Sequence, residues 1–224
     1  MPDASHARLA GSLVDRAQQR FDAANAGIVQ RSGDLLERIA GDRALKPRLL
    51  NTLSLLEHMG SHKIMATQHG AGIGQATLRH LAEECHHAFF MKHKAEQAAG
   101  RALDYAGDDL LAPRAARRYF QGLEALLRRR LREQGSPDAC YLYMSLIVEF
   151  RAVWFYSLLQ QALGKQGQAS SLKRLLGEEQ NHLTEMAERL NHAGELSDAR
   201  IESFVQLERA LYGRLLDSLQ RSVS

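Results

Sequence analysis

Six side chains in this chain of 224 residues are of the right types and spacing for metal chemistry. Glu84 and His87 stand at i and i+3 in LAEECHHAFFM (residues 81–91), and Glu179 and His182 repeat the pair in RLLGEEQNHLTEM (residues 174–186). On a helix that spacing puts both side chains on one face, one turn apart. A carboxylate and an imidazole so placed can chelate one metal ion. Two further acids sit in apolar surroundings, Glu57 in LSLLEHMGSHKI and Glu149 in MSLIVEFRAVWFY. Burying charge without partners is costly, so each of these acids calls for a compensating cation.

The choice of frame matters. The Glu84–His87 face carries Thr77, Leu81, Ala88 and Met91, whereas the Glu83–His86 face carries Ala76, Arg79, His80 and Phe90. The first is more apolar and is preferred, with the second left open. The Glu179–His182 face carries Leu172, Leu175, Leu176, Leu183 and Met186, while Glu178 shares a wetter face with Arg174, Asn181 and Glu185. Glu149 has Leu142, Leu146, Val153 and Tyr156 on its own side and also points inward.

The elements that must hold these residues are helices. The chain is 45% apolar and 6% aromatic, with four prolines. Ala, Leu, Arg, Gln and Glu dominate it, and these are good helix formers. The expected class is all-α. Apolar spacing at Leu9, Leu13, Ala17 and Phe21 predicts a helix over 4–31, followed by a short one over 34–39 that ends near Gly41. Pro47 opens a helix over about 47–69, the GAGIG of 70–74 makes a tight turn, and a helix over 75–99 stops near Gly100. A looser stretch, 101–112, precedes a helix over 113–134. In GSPD (135–138) Ser136 can cap and Pro137 can start a helix over about 137–164. Helices over 168–193 and from Ser197–Asp198 to about 222 complete a single domain, 1–224.

Heights along these helices agree. At about 1.5 Å per residue, Glu57 lies roughly 18 Å before the 70–74 turn and Glu84 roughly 15 Å after it. Glu149 lies roughly 22 Å before the turn at 164–167 and Glu179 roughly 17 Å after it. In two antiparallel hairpins each pair meets within about one turn. Each half of the protein therefore reads Glu, then about 30 residues later Glu-x-x-His.

In that arrangement, Glu57…Glu84-x-x-His87 and Glu149…Glu179-x-x-His182, the sequence resembles the ferritin-like di-iron carboxylate superfamily. Its signature is one Glu from each of two helices of a four-helix bundle plus Glu-x-x-His from each of the other two. The resemblance covers roughly 47–99 and 137–193. It implies a ferritin-like bundle with extra N-terminal, crossover and C-terminal helices. It implies that Glu84 and Glu179 bridge two metal ions, that Glu57 and Glu149 are terminal carboxylates, and that His87 and His182 are terminal nitrogens. The same six residues are then the candidate catalytic groups. Four carboxylates would balance two ferrous ions in charge. An acid immediately before the motif Glu, as in the oxygen-activating branch, makes Glu83 and Glu178 the candidates to orient the histidines from behind. Two departures narrow the match. Met91 stands where the ribonucleotide reductase small subunit has a radical tyrosine, and there is no CxxC pair as in rubrerythrin.

The function implied is an oxygen-activating di-iron oxidoreductase, hydroxylase- or oxidase-like. Its partners would be dioxygen, an organic substrate that the sequence does not name, and an external electron donor. Two manganese ions or a mixed manganese–iron pair would suit the same ligands. One alternative is a peroxide- or iron-handling protein (a ferroxidase, peroxidase or dimanganese catalase); another is a non-enzymatic helical binding module. The remaining features have plainer readings. His58, His62, His69 and His93 read as surface or supporting residues, as does His80, although it stands one turn before Glu84. Gly60–Ser61 either leaves room for oxygen or substrate or allows close helix packing. Trp154 and Tyr156 read as core aromatics, and Cys85 as a buried thiol. The basic run LLRRRLRE (126–133) reads as a solvated helix face rather than a contact for nucleic acid or an acidic carrier. No apolar run reaches 18 residues, so no membrane partner is expected. Two cysteines without a CxxC fit a reducing cytoplasm. A homodimer is left open.

Overall fold

The computed structural model describes residues 4–67, 73–131, 139–167 and 172–223, with side chains from Leu13 onward. Among them are seven α-helices and no strand: α1 (Ala4–Gly41), α2 (Leu45–Thr67), α3 (Gln75–Ala99), α4 (Pro113–Leu131), α5 (Ala139–Lys165), α6 (Lys173–His192) and α7 (Asp198–Val223). The side chain of the expected apolar Leu9, most of the 70–74 turn, the GSPD cap and His69 lie outside what is described.

Two antiparallel hairpins carry the candidate ligands. The first packs α2 against α3, the second α5 against α6. The helix stops behave as the local chemistry requires. Gly100 closes α3 in the left-handed region (φ 67°), where a side chain would be strained, and its N–H returns to the Glu96 carbonyl at 2.9 Å. Ahead of α2, the Asp42 carboxylate accepts the Ala44 and Leu45 N–H groups at 2.7 and 2.9 Å. That anchor holds free amides at the start of the helix.

The other three helices wrap the second hairpin. α1 lies along α5, α6 and α7, and α4 crosses from one hairpin to the other while packing on α7. The expected break in α1 at 31–34 does not occur; the helix is continuous. Gly33 there costs about 1 kcal/mol of helix propensity. Burial of Phe21, Leu35, Leu36 and Ile39 in the common core outweighs it. Ser32 is also buried, against the Tyr212 hydroxyl at 3.2 Å.

α5 is buried almost all round, from Tyr141 through Leu163. By length and composition it would pass for a membrane span, yet most of that stretch is enclosed by the other helices. Two charges interrupt its middle. Glu149 faces α3 and α6, whereas Arg151, two residues on and roughly 200° around the helix, faces α1 and α7.

Arg151 organises a second polar node. Its Nε and Nη2 donate to the two carboxylate oxygens of Glu208 at 2.8 and 2.7 Å, and Nη2 also donates to Asn25 Oδ1 at 2.7 Å. The Tyr119 hydroxyl donates to the same Glu208 at 2.8 Å. The guanidinium stacks 3.8 Å from the Tyr212 ring centre, with Trp154 and Phe21 beyond. These residues come from α1, α4, α5 and α7, so one ion pair ties four helices together. Arg151→Met, which leaves Glu208 buried and uncompensated, is expected to cost about 3–5 kcal/mol. The double change Arg151→Met, Glu208→Leu should recover most of that loss. Denaturant unfolding of both variants checks this; equal destabilisation by the two would contradict it.

Candidate metal centre

The α3 face that turns inward is Thr77, His80, Glu84, His87, Ala88, Met91 and Ala95. Glu83 is only partly buried and His86 is exposed, so the Glu84–His87 frame is the one inside. On α6 the buried stripe is Leu175, Glu179, His182, Leu183, Met186, Ala187 and Leu190. α3 and α6 touch each other little. The space between them is filled by the polar side chains they aim at one another.

Two quartets result, each able to hold a metal ion, their members buried except for the half-buried Glu57. One is His80, Glu84, Glu149 and His182; the other is Glu57, Glu84, His87 and Glu179. Within each quartet one ligand atom per residue lies within 4.8 Å of all the others, and Glu84 belongs to both. In the first, His80 Nε2 is 3.4 Å from Glu84 Oε1 and 3.4 Å from Glu149 Oε1. His182 Nδ1 is 3.5 Å from each of the same two oxygens. In the second, His87 Nδ1 is 3.3 Å from Glu179 Oε1 and 3.7 Å from Glu84 Oε1. Glu179 also spans the pair, because its Oε2 is 3.3 Å from His182 Nδ1. Donor atoms bound about 2.1 Å from one ion stand about 3 Å apart at right angles. These separations are a few tenths of an ångström wider.

All six residues read from the motif repeat thus converge. The seventh, His80, was expected to be a supporting or surface group, but it is buried and enters the first quartet. His80, Glu84, His87 and Met91 form one i, i+4, i+7, i+11 stripe, so the signal was present in the sequence. Among the described side chains the other histidines stay out of it. His58 and His62 contact one another near Tyr105, and His93 stacks on Phe89. Cys85 is exposed rather than buried, because it lies on the outer side of α3.

The histidines divide their nitrogens between inside and outside. His87 Nε2 meets Glu178 Oε2 at 3.0 Å, and His182 Nε2 meets Glu83 Oε2 at 2.8 Å. Each flanking acid therefore serves the histidine of the opposite helix. His80 Nδ1 meets the Tyr141 hydroxyl at 2.9 Å. Tyr156 donates to Glu57. Meanwhile His80 Nε2, Glu84 Oε1, His87 Nδ1 and Glu179 Oε1 are buried without a hydrogen-bond partner among the described residues. Orphaned buried polar atoms of this kind are rare and ask for an occupant. Here nitrogen and carboxylate oxygens converge on common centres, which is the donor set of a divalent transition metal.

Proton affinities follow from this crowding. Burial lowers the pKa of His80, but the Glu149 and Glu84 carboxylates 3.4 Å from its Nε2 prevail and push it up to about 11. The same contest, won by Glu179 for His87 and by Glu149 and Glu179 for His182, raises them to about 10 and about 12. Burial and the neighbouring Glu84 and Glu179 charges push Glu57 well above the usual carboxylate range. Burial would raise Glu149 too, but His182 and His80 hold it at about 2. Without metal, imidazolium protons thus stand in for cations.

Two cavities open onto both Glu84 and Glu149. One, of about 50 Å³, runs past Gly60, Lys63, His80 and Glu124 to Glu84 and Glu149. A Cβ on Gly60 would stand 3.6 Å from Glu84 Oε2, so the glycine leaves that oxygen uncovered. The other, of about 90 Å³, is mainly apolar and is walled by Glu57, Glu84 and Glu149 on the cluster side. Neither a protein-family model, nor a curated protein, nor a solved structure matches this chain.

Metal stoichiometry should follow the quartets. Glu84→Ala is expected to lose metal from both, His80→Ala from the first alone and His87→Ala from the second alone, by elemental analysis of the purified variants. Equal metal in Glu84→Ala and the unmodified protein would remove the assignment. The pH dependence has a definite sign. The imidazoles are raised above their ordinary 6.5, so the folded, metal-free protein holds more protons than the unfolded chain. Their stabilisation is complete below about pH 6.5 and is lost as pH climbs through about 10 to 12. Metal must displace those protons, so its binding strengthens with pH. The rise in unfolding temperature on adding manganous ion should be larger at about pH 8 than at about pH 6, and calorimetry at the two values decides the point.

Proposed function

We propose that the protein is an oxygen-activating di-iron oxidoreductase of the ferritin-like type, acting on a small, largely apolar organic substrate. The observation that carries this reading is the pair of quartets sharing Glu84 beside an apolar cavity. Structural metal sites are closed by their ligands, whereas reactive ones keep a free position and a place for substrate.

In this reading two ions would be held with Glu84 and Glu179 shared between them; His80, Glu149 and His182 would complete one position, and Glu57 with His87 the other. The two positions differ, two nitrogens against one, which suits a division of labour or a mixed manganese–iron pair. Iron held there would supply the redox chemistry that reduces dioxygen, passing on electrons from an external donor. The chain's own groups do the rest. Glu83 and Glu178 fix the tautomers of His182 and His87, so that Nδ1 of each is aimed inward. Tyr141 does the same for His80 through Nδ1. Tyr156 holds the Glu57 carboxylate in place from the cavity side. The apolar wall of Leu53, Leu56, Phe120 and Phe155 keeps water from the site and concentrates substrate beside the carboxylates. Electrons come from a separate donor.

A second reading rests on the polar groove between α3 and α6, of about 620 Å³, lined by Glu83, Glu178, Glu185 and Glu188 with His182 among them. Such a groove would admit hydrated cations or peroxide, as a ferroxidase or dimanganese catalase requires. Anaerobic iron loading followed by a stopped-flow oxygen pulse separates the readings. Oxygen consumption that needs a reductant, with an optical transient that decays faster when small apolar compounds are added, is the expected result. Oxygen evolved from peroxide by the manganese form would favour the second reading. No bound metal after reconstitution would leave a helical binding module.

A further inference from the structure

Exposure falls along the lining of the smaller cavity. The Arg128 side chain is 54% exposed, Lys63 and Glu124 are half-buried, and His80, Glu84 and Glu149 are buried. Glu124 pairs with Lys63 and, at 2.9 Å, with Arg128, so ion pairs mark the outer end. The inner end belongs to the first quartet, since His80, Glu84 and Glu149 are three of its four members. The cavity volume is about 50 Å³. A water molecule takes about 30 Å³ of the liquid and a benzene ring needs a cavity of about 150 Å³, so the space suits a ligand of two or three atoms and excludes a ring. Gly60 lines the same cavity from within α2, where glycine is a poor helix former. Packing does not require it. A Cβ there would stand 3.6 Å from Glu84 Oε2 and 3.8 Å from Phe120 Cζ, which are ordinary contact distances. Close helix approach is therefore not its reason. What the missing methyl group leaves is room beside a carboxylate oxygen of the quartet.

We infer that this cavity is the route by which dioxygen enters, apart from the apolar cavity, and that Gly60 keeps it open onto the position formed by His80, Glu84, Glu149 and His182. This rests on the reading of the cluster as an oxygen-activating centre and gives the co-substrate its own path and its first point of contact. The two cavities divide the cluster between them. The larger one is bordered by Glu57, from the second quartet. The smaller one touches no member of the second quartet except the shared Glu84. Phe120 and Val148 line both and so form the partition. Charge and size select the ligand. Lys63 and Arg128 outnumber Glu124 at the outer end, which disfavours a cation. An uncharged diatomic passes without losing hydration, and a ring is stopped by the volume. A substrate seated in the larger cavity would leave the oxygen route clear.

Nitric oxide, an uncharged two-atom ligand of ferrous iron, tests this. The protein is loaded with ferrous ion without oxygen, its iron content is measured, and the nitrosyl absorption band is followed by stopped flow. Gly60→Ala should slow nitric oxide association roughly threefold and Gly60→Val roughly tenfold or more, at unchanged iron content, because a close-packed interior feels each added methyl group. Ala152→Leu, in the wall of the larger cavity alone, should leave the rate within about twofold, as a site off the path. Equal rates in the Gly60 variants and the unmodified protein, or a greater loss in Ala152→Leu than in Gly60→Val, overturn the inference. Should Gly60→Val lose iron or fail to fold, the Gly60→Ala rate decides. Absence of iron from the unmodified protein overturns the oxygen-activating reading instead. Crystals of the metal-free protein under xenon pressure then decide the cavity: xenon beside Gly60 supports a gas-binding route, and none there overturns it.

Discussion

The interaction on which the rest depends is the electrostatic balance of the central cluster. Four carboxylates and three imidazoles meet there, all buried but the half-buried Glu57. Carboxylates so placed repel one another and are poorly solvated, so the arrangement persists only with positive charge among them. In the metal-free protein that charge comes from protons held by His80, His87 and His182 far above their usual range. Divalent ions would supply it with better geometry, because one ion satisfies several orphaned atoms together. The helices stand apart at α3 and α6 to make room for this, and the hairpin packing of α2 on α3 and α5 on α6 holds the gap open.

α5 is the hinge of the design in an energetic sense. Within one turn it presents Glu149 to the cluster and Arg151 to the outer helices. The added helices α1, α4 and α7 are thereby tied to the same element that supplies a candidate ligand. Asn25, Tyr119 and Glu208 fix the Arg151 side chain, and the helix backbone transmits that rigidity to Glu149. A ligand set tolerates errors of only a few tenths of an ångström, so supporting contacts of this kind bear on metal affinity as well as on stability.

Much of this was legible in the sequence, and the reasons differ by feature. The Glu-x-x-His repeat was readable because helical periodicity converts spacing into a shared face, and the apolar companions of Glu84 and Glu179 chose the frame. The flanking acids were readable as supports, although not their exchange between helices, since Glu83 reaches His182 and Glu178 reaches His87 only through tertiary packing. His80 was underrated because it was counted on the competing Glu83–His86 face. Its place four residues before Glu84 on the same stripe was the better guide. The continuity of α1 was missed because Ser32–Gly33 is a local stop signal, and burial against α7 overrides it. The Arg151–Glu208 pair was not legible at all. Fifty-seven residues separate its members, and neither lies in a motif.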